Sequence, residues 1–425
     1  MAPTDLASLR VGATAGVTRL DLSGCDLAEV PPEVFERAET LEALDLSGNR
    51  LTDLPDDFAK LTRLRRLFCS HNPFRVLPGV LGQCPQLSQI GFRGCGLREL
   101  PLDALPPTVR WLTLTDNALH DLPPRLGERT SLQKLMLAGN RLQALPESLA
   151  GAPRLELLRV AANDLEALPS WLAEMPALSW LAFAGNPAEA RRSDAPSRDV
   201  AWAELELGAL LGEGASGRIH AARWAGDQDV AVKLFKGAMT SDGLPERERA
   251  ASLAAGLHPN LVGAIGRLTG HPEDVEGLVM PLLPAHWRVL AGPPSAESCS
   301  RDVYAADCTL PIEVALRIAG GVGAAAAHLH ARGLMHGDLY AHNTLWDGAS
   351  GEARLGDFGA ATFLAGAQQR LTRCEVRAWG ILLGELLDIS DGEAPARVRD
   401  LQRQCVAADP SSRPTMRDAL DALAG

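Results

Sequence analysis

Two carboxylates and an amide supply the chemistry on which this chain turns. His336-Gly337-Asp338-Leu339-Tyr340-Ala341-His342-Asn343 is followed, fourteen residues after Asn343, by Asp357-Phe358-Gly359. At this spacing they suit the holding of magnesium-bound phosphates and the acceptance of a proton from a hydroxyl nucleophile. Phosphoryl transfer asks for little else, because its transition state needs positioning and charge neutralisation rather than covalent help. A cluster of Asp and Asn is also ordinary loop composition, so the upstream sequence must decide.

Upstream, Leu211-Gly212-Glu213-Gly214-Ala215-Ser216-Gly217-Arg218-Ile219 places three glycines where backbone can come close to phosphates. Sixteen residues after Gly217 comes Lys233, in Val230-Ala231-Val232-Lys233, which reads as an apolar strand ending in one cation. Each signal is weak alone. They are followed in order by Leu257-His258-Pro259-Asn260-Leu261-Val262, by His328-Leu329-His330-Ala331-Arg332-Gly333, and then by the two acidic motifs. The ordered set resembles the protein-kinase family over residues 204–425.

That resemblance implies a bilobal α+β domain using ATP and Mg2+. By it Gly212, Gly214 and Gly217 cover the ATP phosphates and Lys233 binds the α- and β-phosphates. Asp338 accepts the hydroxyl proton, while Asn343 and Asp357 hold magnesium. The ion-pair partner of Lys233 is assigned to Glu248, eleven residues before Pro259, with Glu246 as the competitor. Residues 278–283 read as the hinge, where the Pro281 carbonyl and the Leu283 N–H would recognise adenine. A proline costs nothing where only its carbonyl is required. Residues 375–386 resemble the central helix of the family's large lobe, and residues 405–414 its closing motif.

Three departures stand out. Gly337 replaces the arginine that usually clamps an activation-loop phosphate. Glu375 follows only 18 positions after Asp357, with no Ala-Pro-Glu motif between them, which leaves Arg413 without its usual glutamate partner. Tyr340 stands where Ser/Thr kinases carry a lysine. Control by phosphorylation of this short segment is therefore not expected; its only acceptors are Thr362 and Thr372. The reading is an ATP- and magnesium-dependent protein kinase, Ser/Thr-specific, with an ATP-binding pseudokinase scaffold and a small-molecule kinase on the same fold as alternatives.

The first half is repetitive. Leu44, Leu46, Asn49, Leu51, Leu54 and Pro55 set a pattern that returns at Leu112 to Pro123, Leu135 to Pro146 and Leu158 to Pro169. Its first apolar position falls at 20, 44, 67, 90, 112, 135, 158 and 181, spacings of 22 to 24. Eight such units resemble the leucine-rich repeat family, an α/β horseshoe solenoid whose strand-and-turn units bury their apolar side only by stacking. The asparagines should satisfy neighbouring turns, with Cys25 and Cys95 as weak donors at the same position. Side chains alternate along a strand, so Phe68, Arg93, Trp111, Met136, Arg159 and Trp180 are expected on the concave face, as anchors for a protein partner. The last repeat stops at Asn186, and its open end needs a cover.

At 425 residues the chain is long enough for two domains: repeats over 1–186, a connection over 187–203 and the kinase-like domain over 204–425. Net charge −12 argues against nucleic acid or an anionic membrane as the main partner. Residues 1–17 lack a basic region followed by an apolar run, and no signal peptide is expected. The most apolar stretch, 318–327, is short, so no membrane span is expected, nor the membrane-receptor arrangement of repeats and kinase. Eight cysteines without a zinc or C-x-x-C spacing suit a reducing, cytoplasmic setting.

Overall fold

The computed structural model describes residues 9, 16–190, 198–214, 216–237, 239–240 and 242–425. Most of the N-terminal stretch, residues 191–197 of the expected connection and Ala215 of the glycine-rich loop lie outside the described residues. The chain forms two compact units, Met1–Pro169 and Ser170–Gly425.

The first unit contains β1 (Arg19–Asp21), β2 (Ala43–Asp45), β3 (Arg66–Phe68), β4 (Gln89–Gly91), β5 (Trp111–Thr113), β6 (Lys134–Met136) and β7 (Leu157–Arg159). Each pairs in parallel with the next, one repeat on, so that Leu20, Leu44, Leu67, Ile90, Leu112, Leu135 and Leu158 form one buried row. The returning segments are short 3-10 turns such as Asp56–Lys60 and Glu147–Gly151. A proline precedes several of them (Pro55, Pro78, Pro101, Pro146). Its fixed φ sets the chain to enter a turn, and a repeat of about 23 residues leaves little length for an α-helix.

Inside the turns, asparagines do the work of backbone. Asn140 Nδ2 donates to the carbonyls of Leu114 and Leu137, both at 2.9 Å, and its Oδ1 accepts from Leu119 N–H at 3.1 Å. Asn49, Asn72, Asn117 and Asn163 repeat the pattern. At the equivalent position Cys95 Sγ donates to the Cys69 carbonyl at 3.2 Å, and burial pushes its thiol up to about 11.

The second unit begins one repeat earlier than the sequence reading placed the boundary. Strand β8 (Trp180–Ala182) keeps the repeat spacing, yet it and the turns around it hydrogen-bond to the large lobe described below. Nor is the expected connection wholly a connection. Residues 199–201 form β9 (Asp199–Ala201), an edge strand whose Val200 is fully buried. With β10 (Leu205–Glu213), β11 (Gly217–Trp224), β12 (Gln228–Phe235), β13 (Gly266–Thr269) and β14 (Gly277–Pro281) it makes a sheet of order β10-β11-β12-β14-β13-β9. Alternation along β12 sends Val230 and Val232 to a core with Val200, Trp224, Leu268 and Val279. Ala231 and Phe235 face the other way, toward Ala264, Leu278 and Met280. Helix α1 (Pro245–Ala255) completes this small lobe.

The large lobe holds α2 (Ile312–Ala331), α3 (Thr372–Asp388), α4 (Ala396–Cys405) and α5 (Met416–Ala424). By length and composition α2 is apolar enough to cross a membrane, but Ala315, Ile318, Ala319 and Val322 are buried in the lobe and its Ala319 carbonyl accepts from Trp379 Nε1 at 2.8 Å. Before, between and after α2 and α3 short strands pair off: β15 (Arg288–Val289) with β18 (Thr344–Trp346) and β18 with β19 (Ala353–Leu355), β16 (Leu310–Pro311) with β21 (Ser390–Asp391), and β17 (Leu334–Met335) with β20 (Thr362–Phe363).

Removing the Asn140 side chain strips partners from three backbone groups, each costing ~1–3 kcal/mol when left unsatisfied in the interior. Asn140→Ala is expected to lower stability by roughly 3 kcal/mol in urea melts of the full chain, whereas alanine at exposed Asp53 should change it by less than about 0.5 kcal/mol.

Candidate active site

The cleft is built from the sheet of the small lobe and the loops of the large one. Lys233 lies in β12 between Ile219 of β11 and Leu278 of β14, and its ammonium pairs with the Glu248 carboxylate of α1. Glu246, the competitor, does not take that place. Both partners are buried. Burial raises the Glu248 carboxyl above its ordinary value and Asp357 adds to this, while Lys233 pulls the other way. A lysine so held presents a fixed charge rather than a mobile one.

The three glycines divide by role. A Cβ at Gly217 would lie 2.4 Å from the Leu234 carbonyl, so this glycine is required by close packing on β12. At Gly212 and Gly214 no described residue beyond the chain neighbours lies within 4 Å of the added atom, so packing does not demand a glycine at either position. Pro281 ends β14 opposite Val230, and Leu282 packs on the Ala231–Met280 cluster, carrying Leu283 past the sheet edge.

Across the cleft, Asn343 Nδ2 donates to the Asp338 carboxylate at 2.7 Å and to its carbonyl at 2.9 Å. Behind them buried His336 donates to the Gly356 carbonyl at 2.8 Å and sits 5.4 Å from the Phe358 ring, between ring centres. Phe358 is thereby buried and Asp357 turned into a left-handed conformation, φ 58°. Its Oδ1 accepts from Gly359 N–H at 3.1 Å. A Cβ placed on Gly359 would stand 3.9 Å from Glu248 Oε2, so the Asp357 loop reaches the Lys233 pair.

Glu375 anchors this loop from α3: one oxygen accepts from Gly337 N–H at 2.8 Å and the other meets His330 Nε2 at 2.6 Å. Gly337 has φ +74°, and a Cβ there would stand 2.7 Å from the Leu181 carbonyl and 2.6 Å from that of Ala360. No arginine fits. Beside it Trp180 stacks on Tyr340, ring centres 4.2 Å apart and planes 6° from parallel, and donates its indole N–H to the Leu339 carbonyl at 2.9 Å. Trp180 is therefore not an open anchor of the concave face, since Tyr340 covers it; Arg159 is also withdrawn, at 1% exposure. Phe68 remains exposed, and Trp111 and Met136 half-exposed. Arg413 has found other acceptors in the carbonyls of Ala407, Arg373 and Pro176, and burial lowers its guanidinium to about 10.

Sequence reasoning missed three contributors. Asp302 holds His342 through the ring (2.7 Å) and the backbone N–H (2.9 Å). In the sequence Trp180 reads as a repeat residue, and Glu189, whose carboxylate accepts from the Phe363 N–H six residues beyond Asp357, as part of the connection. The departures at 337 and 340 are the sequence signal that lies at this contact, where Trp180 stacks on Tyr340.

Comparisons with known proteins divide the chain in the same way. The leucine rich repeat family pattern matches residues 15–74 and 107–165, and the protein kinase domain pattern residues 205–380. Human kinase suppressor of Ras 2 is 26% identical over 161 residues, 38% of this chain and 15% of that protein. Rice (Oryza sativa subsp. japonica) CBL-interacting protein kinase 22 is 30% identical over 188 residues, 43% of this chain and 41% of that protein. The chain thus spans less than half the length of either relative. A solved leucine-rich repeat protein of Leptospira interrogans aligns with TM-score 0.38 and 25% identity over 44% of this chain and 53% of that one. Leucine-rich repeats lie N-terminally and a protein kinase domain C-terminally.

Behind the Asp338 loop, Glu385 of α3 accepts from the Tyr304 hydroxyl at 3.3 Å. Burial first, and then Asp302, raise its carboxyl from 4.5 to about 7. The folded chain therefore holds a proton there that the unfolded chain releases between pH 4.5 and about 7, and stability falls as pH rises through that window. Glu385→Gln removes the ionisation. The variant should match wild type near pH 4.5 and exceed it by on the order of 2 kcal/mol above pH 7, as read from melts across pH. A constant difference would mean that the group does not titrate in this range.

Proposed function

We propose that this chain of leucine-rich repeats and a protein kinase domain transfers the γ-phosphate of ATP to a protein Ser or Thr hydroxyl, with its repeats recruiting the protein. The observation that carries the reading is the assembled pair of Lys233 and Glu248, reached by the Asp357 loop, together with an Asp338 carboxylate already hydrogen-bonded to Asn343. A charge that need not reorganise during reaction is what phosphoryl transfer uses. In this scheme the acceptor oxygen bonds to the γ-phosphorus as the bridging bond to ADP breaks, and Asp338 takes the hydroxyl proton. Lys233 steadies the α- and β-phosphates. The Pro281 carbonyl and the Leu283 N–H hold adenine, and Gly212, Gly214 and Gly217 cover the phosphates.

The donors at the cleft fit magnesium. Asn343 and Asp357 offer hard oxygens, and among the described residues no group of three or more His, Cys, Asp or Glu could hold a metal by itself. A divalent ion that keeps few protein ligands and takes the rest from phosphate suits such a pair; when bound it neutralises phosphate charge. For recruitment the half-exposed and exposed face residues Phe68, Trp111 and Met136 are the anchors, with Lys134 Nζ 4.1 Å over the Trp111 ring. A cytoplasmic setting belongs to the same proposal, since none of the eight cysteines, all of them described residues, forms a disulfide and six are buried.

One observation favours a second reading, an ATP-binding scaffold. Tyr340 lies beneath Trp180 with 5% of its surface exposed, so the loop is covered close to Asp338.

Incubation with labelled ATP, magnesium and candidate proteins separates the two. Wild type should transfer label. Asp338→Asn should lose at least about a hundredfold in kcat while nucleotide affinity changes little, because a proton acceptor and not a phosphate ligand is removed. Equal turnover by the two proteins would discard the transferase and leave the scaffold.

A further inference from the structure

Helix α1 has little to hold it by packing. Its sequence, Pro-Glu-Arg-Glu-Arg-Ala-Ala-Ser-Leu-Ala-Ala, contains one large apolar residue, Leu253, and its buried residues are Pro245, Glu248, Ala251, Ser252 and Ala255. Burial of such small groups contributes little, since apolar stabilisation scales with area. The helix must nevertheless stay where Glu248 meets Lys233. Its neighbouring residue Arg247 points to a second anion: Glu189, 3.5 Å away, in the chain that leaves the terminal repeat.

Glu189 is itself enclosed, 7% exposed. One carboxylate oxygen accepts from the Gly185 N–H at 2.8 Å, and the other from the Phe363 N–H of β20, six residues beyond Asp357, at 3.3 Å. Around it the same stretch is stitched down. Ala190 N–H donates to the Phe363 carbonyl at 3.4 Å, Gln368 Nε2 to the Ala188 carbonyl at 2.7 Å, and Phe183 N–H to Thr362 Oγ1 at 3.4 Å. Thr362 is fully buried by this arrangement. Burial raises the Glu189 carboxyl above its ordinary value, with the two amides and Arg247 working against it. An anion enclosed at such cost and met by donors from three elements has a positional role.

We infer that Glu189 is a positioning residue for phosphoryl transfer, a built-in anion that joins the terminal repeat, the segment after Asp357 and helix α1, and so keeps Glu248 on Lys233. Arg247 and Glu248 are consecutive, roughly 100° apart around the helix axis. Turning Glu248 away from Lys233 would pull Arg247 off Glu189, so the two pairs fix the rotation of α1 jointly. The carboxylate supplies in cis, and permanently, the negative charge that a loop phosphate supplies elsewhere. Neither a phosphorylatable side chain nor an arginine at position 337 is then needed.

The inference rests on the kinase reading for its effect on rate, but its structural part can be measured without it. The full chain is compared as wild type, Glu189→Gln, Arg247→Met and the double variant, by hydrogen exchange of the amides of residues 245–255 and by Mg·ATP affinity and phosphotransfer rate. Each single variant should exchange about tenfold faster in α1 and lose about tenfold in kcat, and the double variant should lose no more than either single one. Glutamine keeps one acceptor oxygen, for either Gly185 or Phe363, and turns its NH2 toward the other N–H; Arg247→Met leaves both of these bonds in place, so the comparison still decides if Glu189→Gln folds poorly. Unchanged exchange in α1, or losses that add in the double variant, would overturn the inference. So would a lower melting temperature with undiminished kcat, which is the mark of a merely structural residue. If wild type transfers no phosphate, the kinase reading fails on its own, and faster α1 exchange in both variants still supports the brace.

Discussion

The backbone at Gly337 is the point on which the second unit depends. Its N–H is claimed by Glu375 from α3, and its missing side chain leaves space that the Leu181 and Ala360 carbonyls occupy. A positive φ there is tolerated by glycine at no steric cost. Any larger residue would meet two carbonyl oxygens and displace either the terminal repeat or the segment after Asp357. Because Asp338 is the next residue, the position of the expected proton acceptor is tied to the docking of residues that belong, by sequence, to the repeats.

Seen this way the three departures from the kinase pattern have one physical cause. Gly337 admits β8; Tyr340 offers a flat face to Trp180; the shortened segment leaves Arg413 to bond Pro176 and Arg377 to bond Ala177. Two carbonyls of a repeat that ends early thus find donors on the lobe, as buried backbone acceptors must. The cover that the truncated repeat requires is the large lobe itself.

Much of this was legible from residue order. The repeat strands follow from a period that admits only stacking, and the asparagine ladder from the need to satisfy amides in a dry turn. Local motifs likewise marked Lys233, Asp338, Asn343 and Asp357. Contacts between distant positions were not legible. Glu189 stands in a charged, small-residue stretch whose composition suits a solvated connection, and only its meeting with Phe363 and Arg247 changes its meaning. Trp180 shows the limit of alternation, which states the face a side chain leaves from but not what lies on that face. Val200 and β9 were hidden likewise, since an edge strand of three residues carries no periodicity.

The same seam bears on how such a chain can be recombined. Repeats are the most exchangeable of protein parts, because each one meets only its neighbours. Here the eighth has ceased to be a repeat in that sense: its tryptophan, two of its carbonyls and the acid that follows it are parts of the lobe. A gene fusion that joined this lobe to a different array after residue 186 would leave Tyr340 bare, Gly337 unsupported and Arg413 short of an acceptor. The inheritable module is the lobe together with its borrowed repeat, and the natural crossover point lies in the chain near Pro169 and Ser170.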